Sequence, residues 1–312
     1  MYIGIDLGGT NIAVGLVDNK GNILNKDSTP TINTRHYTEI VKDMAELAIK
    51  VTETVGFKKE DIKAVGIGAP GTIDNDKGIV VYSNNIKMDN AKVAEEFQKI
   101  WDVPVNMEND ANAAALGEYV ARGANTDTFI FITLGTGVGS GVILNGKIFT
   151  GFNNVGAELG HMVISYNGKP CTCGRKGCWE AYASVTALIS QTKEAMEENP
   201  DSLMHKIAQN FGKVNGRVAF DAAKAGDKTG KEVVDQYIKY VGDGVANIVN
   251  IFQPEKLVIG GGISKEGDYI LNPLKEYVYK NDYNKRMDKV QIEIAKLFND
   301  AGIIGAALAA RQ

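Results

Sequence analysis

The chain has 312 residues, of which 44% are hydrophobic and 23% charged, and its formal net charge is −4. A single hydrophobic core usually stops growing near this length, so we expect two domains or one unusually large one. The charge balance argues against a nucleic-acid partner. The first segment, MYIGIDLGGTN, lacks the basic stretch of a secretory signal, and no run approaches the roughly 18 apolar residues of a membrane span. We therefore expect a cytoplasmic protein with no membrane partner.

Short strand patterns separated by tight turns open the chain, at residues 2–7, 11–18 and 22–28. Helical spacing over 36–55 then predicts a helix, and KAVGIGAPG predicts a buried strand that ends in a turn. Near residue 128 the opening recurs, as the strand TFIFITL, the turn GTG, the strand VGSGVIL, the turn NGK and the strand KIFTG. This repetition predicts two related α/β domains, with a boundary near 115–127 and a ligand cleft between them.

The later part of the chain continues the α/β pattern. Helical spacing from Val234 to Phe252 predicts a helix, and EKLVIG predicts a strand that precedes a glycine turn. VQIEIAKL alternates as a strand, and AGIIGAALAARQ predicts a final helix of small residues.

Two glycine patterns resemble phosphate motifs but lack the context that these motifs need. GIGAPG at 66–71 matches a dinucleotide fingerprint, yet TIDNDKG follows where a Rossmann unit requires a helix, so we reject dinucleotide binding. GVILNGKI at 141–148 matches the first part of a P-loop, yet Ile148 stands where a hydroxyl must reach magnesium. Its Asn-Gly pair signals a β-hairpin, which is our interpretation of this segment.

Three other glycine turns point to a nucleotide. DLGGT at 6–10 suits a hairpin that approaches phosphate and holds a carboxylate near magnesium, although a plain hairpin is the alternative. A second such turn, LGTGVGSG at 134–141, could hold a polyphosphate together with the first, and GGGIS at 260–264 could let an adenosine lie against the backbone. We predict an ATP site formed by Asp6, Gly8, Gly9, Thr10, Gly135, Thr136, Gly137, Gly261 and Gly262.

The segment ENDANAAALGE places Asn109 and Asp110 just before an alanine-rich helix. One interpretation is that either residue is only the N-cap of this helix. The other is that Asp110 takes a proton from a substrate hydroxyl while Asn109 fixes an adjacent one, as phosphoryl transfer requires. The spacing alone does not choose between them.

All three cysteines of the chain lie in CTCGRKGC, where Cys171, Cys173 and Cys178 form the pattern C-x-C-x4-C. Three soft ligands need a fourth, and His161 is the nearest candidate, so we predict a structural zinc site with four protein ligands. Free buried thiols are the alternative. Glu158 and Glu180 flank the segment and suit the hydroxyls of a sugar beside a fixed imidazole, and simple solvation of each carboxylate is the alternative.

These stretches together resemble the ROK family of sugar kinases and repressors, within the actin-like ATPase superfamily. DLGGT, APGTID, ENDANAAALGE, LGTGVGSG, GAELGHMVI, CTCGRKGCWEAYAS and GGGIS occur in the family's order and cover nearly the whole chain. The resemblance implies an α/β fold of two actin-like ATPase (ribonuclease H-like) domains with an interdomain cleft. It implies a small domain over 1–118 with sugar and phosphate elements, on which the helix 300–312 packs back, and a large domain over 119–299 with the zinc loop and adenosine site.

The resemblance also implies an ATP- and magnesium-dependent hexose kinase that forms dimers or tetramers. Asp110 would be the catalytic base, and His161 would serve both the zinc and the sugar. The zinc ligands would be His161, Cys171, Cys173 and Cys178. The sugar contacts would be Asn109, Asp110, Glu158, His161, Glu180, Gly71 and either Asn84 or Asn85.

The substrate that the resemblance implies is glucose, phosphorylated at its 6-hydroxyl. ENDANAAALGE is most similar to the family's glucokinases, whereas fructokinase-like members tend to carry threonine where Asn109 stands. Mannose, N-acetylhexosamines and fructose are the alternatives. Repressors of the family carry a DNA-binding helix-turn-helix before the first strand, and here the phosphate motif begins at residue 6, so we expect a kinase rather than a repressor or an idle sugar sensor.

Overall fold

The structure is a computed structural model that describes residues 1–83 and 86–311. The predicted sugar contact of Asn84 or Asn85 lies outside the described residues. The fold divides into two compact units. Unit 1 comprises residues 1–131, 141–157 and 296–312, and unit 2 comprises residues 132–140 and 158–295.

Runs of strands and runs of helices follow one another along most of the chain. The strands are β1 Tyr2–Leu7, β2 Asn11–Val17, β3 Ile23–Pro30, β4 Ala64–Ala69, β5 Thr72–Asp74, β6 Ile79–Ser83, β7 Met88–Ala91, β8 Val105–Asn109, β9 Thr128–Leu134, β10 Val138–Leu144, β11 Lys147–Ile148, β12 Lys256–Gly260 and β13 Gln291–Ile294. The helices are α1 Tyr37–Glu53, α2 Val93–Gln98, α3 Asp110–Val120, α4 Glu180–Ala183, α5 Val185–Glu198, α6 Leu203–Phe211, α7 Val218–Lys224, α8 Lys228–Phe252, α9 Asp268–Asn281 and α10 Ala301–Ala309.

The first sheet, in unit 1, has the strand order β3-β2-β1-β4-β8. β1 pairs antiparallel with β2 and parallel with β4, and β8 continues parallel to β4. Ile3, Ile5 and Leu7 of β1 are fully buried in a core that also contains Ile40 and Met44 of α1. The strands and the helix predicted for this region are confirmed, with ends that differ by no more than a few residues.

The second sheet has the order β11-β10-β9-β12-β13, which repeats the order of the first when each set is counted along the chain. β12 and β13 run parallel, while β10 and β11 form an antiparallel hairpin. Asn145 and Gly146 form its turn with φ of 51° and 75°, the left-handed conformation of a two-residue hairpin. The hairpin prediction is confirmed, and the shared strand order accounts for the repeat in the sequence.

A small antiparallel sheet, β5-β6-β7, was not predicted from the sequence. β5 begins immediately after GIGAPG, so a strand follows this motif where a dinucleotide site requires a helix. Helices α2, α4, α5, α6, α7 and α9 were not predicted either. Within residues 1–83 and 86–311, every helix is too short or too polar to cross a membrane.

Helix α10 packs on unit 1 through close backbone contacts with α3, β1 and β4. A Cβ atom on Gly4 would lie 1.9 Å from the carbonyl oxygen of Ile303, and one on Gly66 would lie 1.8 Å from that of Ala306. Both distances are far below van der Waals contact, so glycine at these strand positions is what allows the helix backbone to approach the sheet.

Candidate functional site

The β8–α3 junction in unit 1 holds Asn109 and Asp110 in fixed conformations. Asn109 is the N-cap of α3: its Oδ1 accepts hydrogen bonds from the N–H groups of Ala111 at 2.9 Å and Asn112 at 3.2 Å. Its Nδ2 donates to the carbonyl oxygen of Gly71 at 3.2 Å. Asp110 is the first residue of the helix, and its Oδ1 accepts from the Ala111 N–H at 2.8 Å. The capping role that the sequence left open therefore belongs to Asn109.

Glu108 and Gly71 hold this junction in place through hydrogen bonds to Asn109 and Asn112. The buried Glu108 accepts hydrogen bonds at Oε1 from the Asn109 N–H at 2.8 Å and from Asn112 Nδ2 at 3.1 Å. Burial raises the pKa of Glu108, and the hydrogen bond from the Asn109 N–H opposes this rise. Gly71 has φ of +103°, and a Cβ there would lie 2.2 Å from the carbonyl oxygen of Tyr82. The sequence analysis missed Glu108; the signal was its four-residue spacing to Asn112 across the helix start.

Asp6, in β1, is electrostatically coupled to Asp110. Burial raises the pKa of Asp6 to about 7, and the Asp110 carboxylate raises it too. Burial also raises the pKa of Asp110, while the hydrogen bond from the Ala111 N–H opposes the rise. A divalent cation would offset the free-energy cost of ionising these two buried carboxylates. Carboxylate oxygens are also the ligands that magnesium prefers. The donor chemistry of this pair therefore fits the predicted cation.

The first glycine turn closes the β1–β2 hairpin in unit 1. The Gly8 N–H donates to the carbonyl oxygen of Asn11 at 3.0 Å, and Thr31 Oγ1 donates to that of Gly8 at 2.6 Å. The Thr31 N–H donates to the carbonyl oxygen of Thr10 at 2.9 Å. These bonds fix the hairpin while Gly9 is partly exposed and Thr10 exposed. The turn thus presents backbone and one hydroxyl at the surface of unit 1.

The second glycine turn, in unit 2, has a similar form. The Gly135 N–H donates to the carbonyl oxygen of Gly137 at 3.0 Å, and Thr136 is exposed. Two bonds anchor the turn to the start of α5: Thr186 Oγ1 donates to the Thr136 carbonyl oxygen at 2.8 Å, and the Val185 N–H donates to that of Gly135 at 2.8 Å. The two hairpins that the sequence repeats therefore each present an exposed threonine next to a glycine.

The third glycine turn lies beside the second in unit 2. Gly261 has φ of +84°, and a Cβ on it would lie 2.2 Å from the carbonyl oxygen of Leu134, the residue before the second turn. Ser264 Oγ closes the third turn by donating to the Gly261 carbonyl oxygen at 2.7 Å. Gly262 is exposed, and no described atom lies within 4 Å of where its Cβ would be. The turn therefore offers an open backbone surface on which a flat ring could lie.

His161, Cys171, Cys173 and Cys178 form one cluster in unit 2, with ligand atoms that all lie within 4.8 Å of one another. Cys171 Sγ is 3.6 Å from His161 Nδ1, and Cys173 Sγ is 3.7 Å from Cys178 Sγ. A tetrahedral zinc site with ordinary bond lengths has S···N and S···S edges of about 3.6 and 3.8 Å. The four side chains therefore fit zinc by donor type and by spacing, with His161 Nδ1 as the ring atom that faces the sulfurs.

The thiols of this cluster differ in their surroundings. Burial raises the pKa of Cys178 to about 12 and also raises that of Cys171. The hydrogen bond from the Arg175 N–H lowers the pKa of the exposed Cys173. Because zinc binds thiolates, its binding has to release protons from Cys171 and Cys178, whose pKa values are raised.

Glycines shape the cysteine loop, which we define as residues 161–178. Gly174 has φ of +88°, and its N–H donates to the carbonyl oxygen of Cys171 at 3.0 Å. Gly177 has φ of +80°, and a Cβ there would lie 1.8 Å from the carbonyl oxygen of Ser165. The residue that follows the loop is the fully buried Trp179, whose Nε1 donates to the carbonyl oxygen of Tyr240 in α8 at 2.8 Å. The loop is therefore anchored to the core of unit 2.

Glu158 and Glu180 lie on the two sides of the cysteine loop. The Glu158 carbonyl oxygen accepts from the His161 N–H at 3.1 Å in a single 3₁₀ turn. Glu180 begins α4, and its Oε2 accepts from the Val138 N–H at 2.9 Å. Its Oε1 is 3.8 Å from Cys171 Sγ. In unit 2 the structure thus brings the predicted sugar contacts Glu158, His161 and Glu180 to the metal cluster, and Glu180 also to the second glycine turn.

Two sheets of one strand order, each with a glycine turn after its first strand, define a protein of the actin-like (ribonuclease H-like) ATPase class. The fold class predicted from the sequence is confirmed. Residues 2–312 match the model of the ROK family. The chain belongs to the ROK family, which confirms the resemblance.

Relatives that match this chain over nearly its whole length include several glucokinases. A glucokinase of Thermotoga maritima is 38% identical over 307 residues, which cover 98% of this chain and 95% of the relative. A glucokinase of Halalkalibacterium halodurans is 36% identical over 313 residues, which cover 100% of this chain and 95% of the relative. Among solved structures, a ROK family glucokinase from Streptomyces griseus in complex with glucose and AMPPNP has a TM-score of 0.87 and 34% identity, covering 100% of this chain and 99% of that one.

Proposed function

We propose that this protein is a glucokinase, which transfers the γ-phosphoryl group of ATP to the 6-hydroxyl of glucose. The observation that carries this proposal is the full-length match to the Streptomyces griseus enzyme, whose structure holds glucose and the ATP analogue AMPPNP. The glucokinases of Thermotoga maritima and Halalkalibacterium halodurans support it at higher sequence identity.

Asp110 is the general base in this proposal. Asn109 satisfies the free N–H groups at the start of α3, so the Asp110 carboxylate is not needed as the cap. Burial raises the pKa of Asp110 above the ordinary value of an aspartate, which makes its carboxylate a stronger base. Transfer then needs little more than an oriented hydroxyl and a stabilised phosphoryl group.

The glycine turns are proposed to bind the nucleotide. The backbone N–H groups around Gly8 and Gly9, with the Thr10 hydroxyl, suit phosphate oxygens, and so do those around Thr136. The surface at Gly262 suits the adenosine. Asp6 would hold magnesium, which when bound neutralises charge on the phosphates. This arrangement implies ATP as the phosphoryl donor and Mg²⁺ as the metal cofactor.

His161, Cys171, Cys173 and Cys178 are the proposed ligands of a structural zinc, whose four protein ligands leave no open position for water. When bound, zinc would brace the cysteine loop. His161 faces the sulfurs with Nδ1, which leaves its Nε2 for a sugar hydroxyl.

The sugar contacts remain proposals. In unit 1 they are Asn109, Asp110 and the Gly71 backbone. In unit 2 they are Glu158, His161 and Glu180. The Asn85 contact has no support from the described residues. Formation of dimers or tetramers and a cytoplasmic location also stay predictions.

A coupled assay for ADP release across glucose, mannose, N-acetylhexosamines and fructose tests the activity and the substrate together. Glucose is expected to give the highest kcat/KM. Asp110→Ala should abolish turnover while glucose binding stays within about tenfold, because only about one hydrogen bond to the sugar is lost. Near-normal turnover by this variant contradicts the role of Asp110, and a preference for another hexose contradicts the substrate.

A further inference from the structure

We propose that Glu180 is a positioning residue for the nucleotide: its carboxylate links the cysteine loop to the second glycine turn, 135–137. This inference rests on the proposed function, because it takes that turn as a phosphate-binding element. It adds a role to a residue that the sequence resemblance assigns to the sugar alone.

The first side of the link is a hydrogen bond to the backbone just after the turn. Glu180 Oε2 accepts from the Val138 N–H at 2.9 Å, and Val138 is the buried first residue of β10. A Cβ on Gly137 would lie only 2.3 Å from the same oxygen. The space that a side chain would take at position 137 is thus filled by the Glu180 carboxylate. A charged acceptor makes this a stronger bond than one between neutral groups.

The second side of the link is the cysteine loop itself. Glu180 Oε1 lies 3.4 Å from Thr172 Oγ1, which donates to it, and 3.8 Å from Cys171 Sγ. One carboxylate therefore contacts the strand after the glycine turn with one oxygen and the cysteine loop with the other. Residues that are 42 positions apart in sequence are held together by its two oxygens.

The segment before the cysteine loop also rests on the start of β10. Ser140 Oγ accepts from the Leu159 N–H at 3.1 Å, in the 3₁₀ turn that carries His161. A Cβ on Gly160 would lie 2.2 Å from the Val138 carbonyl oxygen, so the two backbones are in direct contact. Val138 is thus held at its N–H by Glu180 and covered at its carbonyl group by Gly160. If Glu180 or the 3₁₀ turn at Gly160 moves, the start of β10, which directly follows the second glycine turn, has to move with it.

An assay of sugar phosphorylation cannot distinguish a residue that contacts glucose from one that positions the nucleotide-binding turn. The geometry of Glu180 allows the two roles to be tested separately. A residue that only contacts glucose has no effect on a nucleotide bound in the absence of sugar. Loss of the Glu180 carboxylate leaves the buried Val138 N–H without this acceptor and removes one of the bonds that hold the turn. We expect MgADP affinity without sugar to fall about tenfold, the effect of losing one hydrogen bond to a charged group.

The test is isothermal titration of MgADP into the sugar-free protein, for the wild type and four variants of equal zinc content. Glu180→Ala should bind about tenfold more weakly. Glu180→Gln keeps a carbonyl oxygen for the Val138 N–H and should stay within about threefold of the wild type. Glu180→Asp keeps the charge but shortens the reach, so it should resemble the alanine variant. Glu197→Gln, at an exposed residue near the end of α5 with no proposed role in the site, is the matched control and should bind MgADP normally.

Wild-type affinity in both Glu180→Ala and Glu180→Asp overturns the inference and leaves the proposed function intact. A loss in Glu180→Gln as large as that in Glu180→Ala overturns it as well, because the amide oxygen would then not replace the carboxylate. If Glu180→Ala does not fold, the test compares the MgADP affinities of Glu180→Asp and Glu180→Gln, and the inference requires weaker binding by the aspartate variant. Failure of the wild type to bind MgADP refutes the proposed function instead.

Discussion

Replacing Gly302 with alanine should damage catalysis while leaving the protein folded. Gly302 lies in α10, and an added Cβ would stand 2.6 Å from Asp6 Oδ2 and 2.7 Å from its Cγ. Ordinary contact needs about 3.5 Å, so the carboxylate has to move by roughly 1 Å. A displacement of this size in a catalytic site costs on the order of 10²-fold in rate. The half-saturating Mg²⁺ concentration should rise with it, because Asp6 is the proposed magnesium residue.

The effect of Gly302→Ala on stability should be small, because two contributions oppose each other. Alanine in a helix interior is favoured over glycine by about 1 kcal/mol. Overpacking a filled site costs about 1–3 kcal/mol. The net change in the free energy of unfolding should therefore stay within about 2 kcal/mol, which urea denaturation followed by circular dichroism can measure.

Gly242→Ala is the matched control for this variant. Gly242 is a helical glycine of α8 in unit 2, and a Cβ there would stand 2.3 Å from the ring of Tyr277. It makes the same change in a helix, with a similar overlap, but against a side chain that has no proposed role in the site. Its Mg²⁺ dependence should match the wild type. A folded Gly302→Ala protein with wild-type kcat and wild-type Mg²⁺ dependence refutes the reasoning about Asp6.

Three further predictions concern the charge of Asp6, the removal of zinc, and the contacts of Glu118 with residues 296–297. Burial raises the folded-state pKa of Asp6 from 3.8 to about 7, so its ionisation costs stability increasingly as pH rises through that range. Without nucleotide or Mg²⁺, Asp6→Asn should therefore gain melting temperature over the wild type from pH 5 to pH 8, and a constant difference would contradict this. Removal of zinc by a chelator, verified by metal analysis, should raise the KM for glucose and expose the cysteine loop to proteases; an unchanged KM argues against the link to the sugar. Glu118→Ala takes the carboxylate from the buried Arg122 and from the N–H groups of Lys296 and Leu297, so urea unfolding should show a loss of about 3–5 kcal/mol, and a loss below 1 kcal/mol would contradict the role of this cluster.

Local pattern was sufficient for nine of the ten strands of the two large sheets and for the cysteine cluster, but not for the edge strand β8. Strands such as Tyr2–Leu7 and Thr128–Leu134 alternate or run apolar between glycine turns, so their ends can be read from the residues themselves. The C-x-C-x4-C spacing likewise brings three sulfurs together through a short loop, and only the fourth ligand had to be guessed. These features depend on neighbours in sequence, which is why they were predictable.

The small sheet β5-β6-β7 and the contacts of the site were not predictable in the same way. Its strands have only three to five residues and exposed polar positions, so they carry little periodic signal. The bond from Val138 to Glu180 and the contact of Gly302 with Asp6 join residues far apart in the chain. Such contacts depend on how completed elements pack, and a single sequence gives no direct measure of that packing.

The close packing of α10 on the first sheet has a consequence for synthesis on the ribosome. The helix backbone rests on Gly4 and Gly66, so the first sheet lacks one covering layer until residues 301–309 have been translated. Unit 2 is complete in the nascent chain once residue 295 has emerged, before unit 1 has received its last helix. The part of the protein made first is therefore the part finished last, and chaperones that bind exposed apolar surface should meet the uncovered face of the first sheet during this interval.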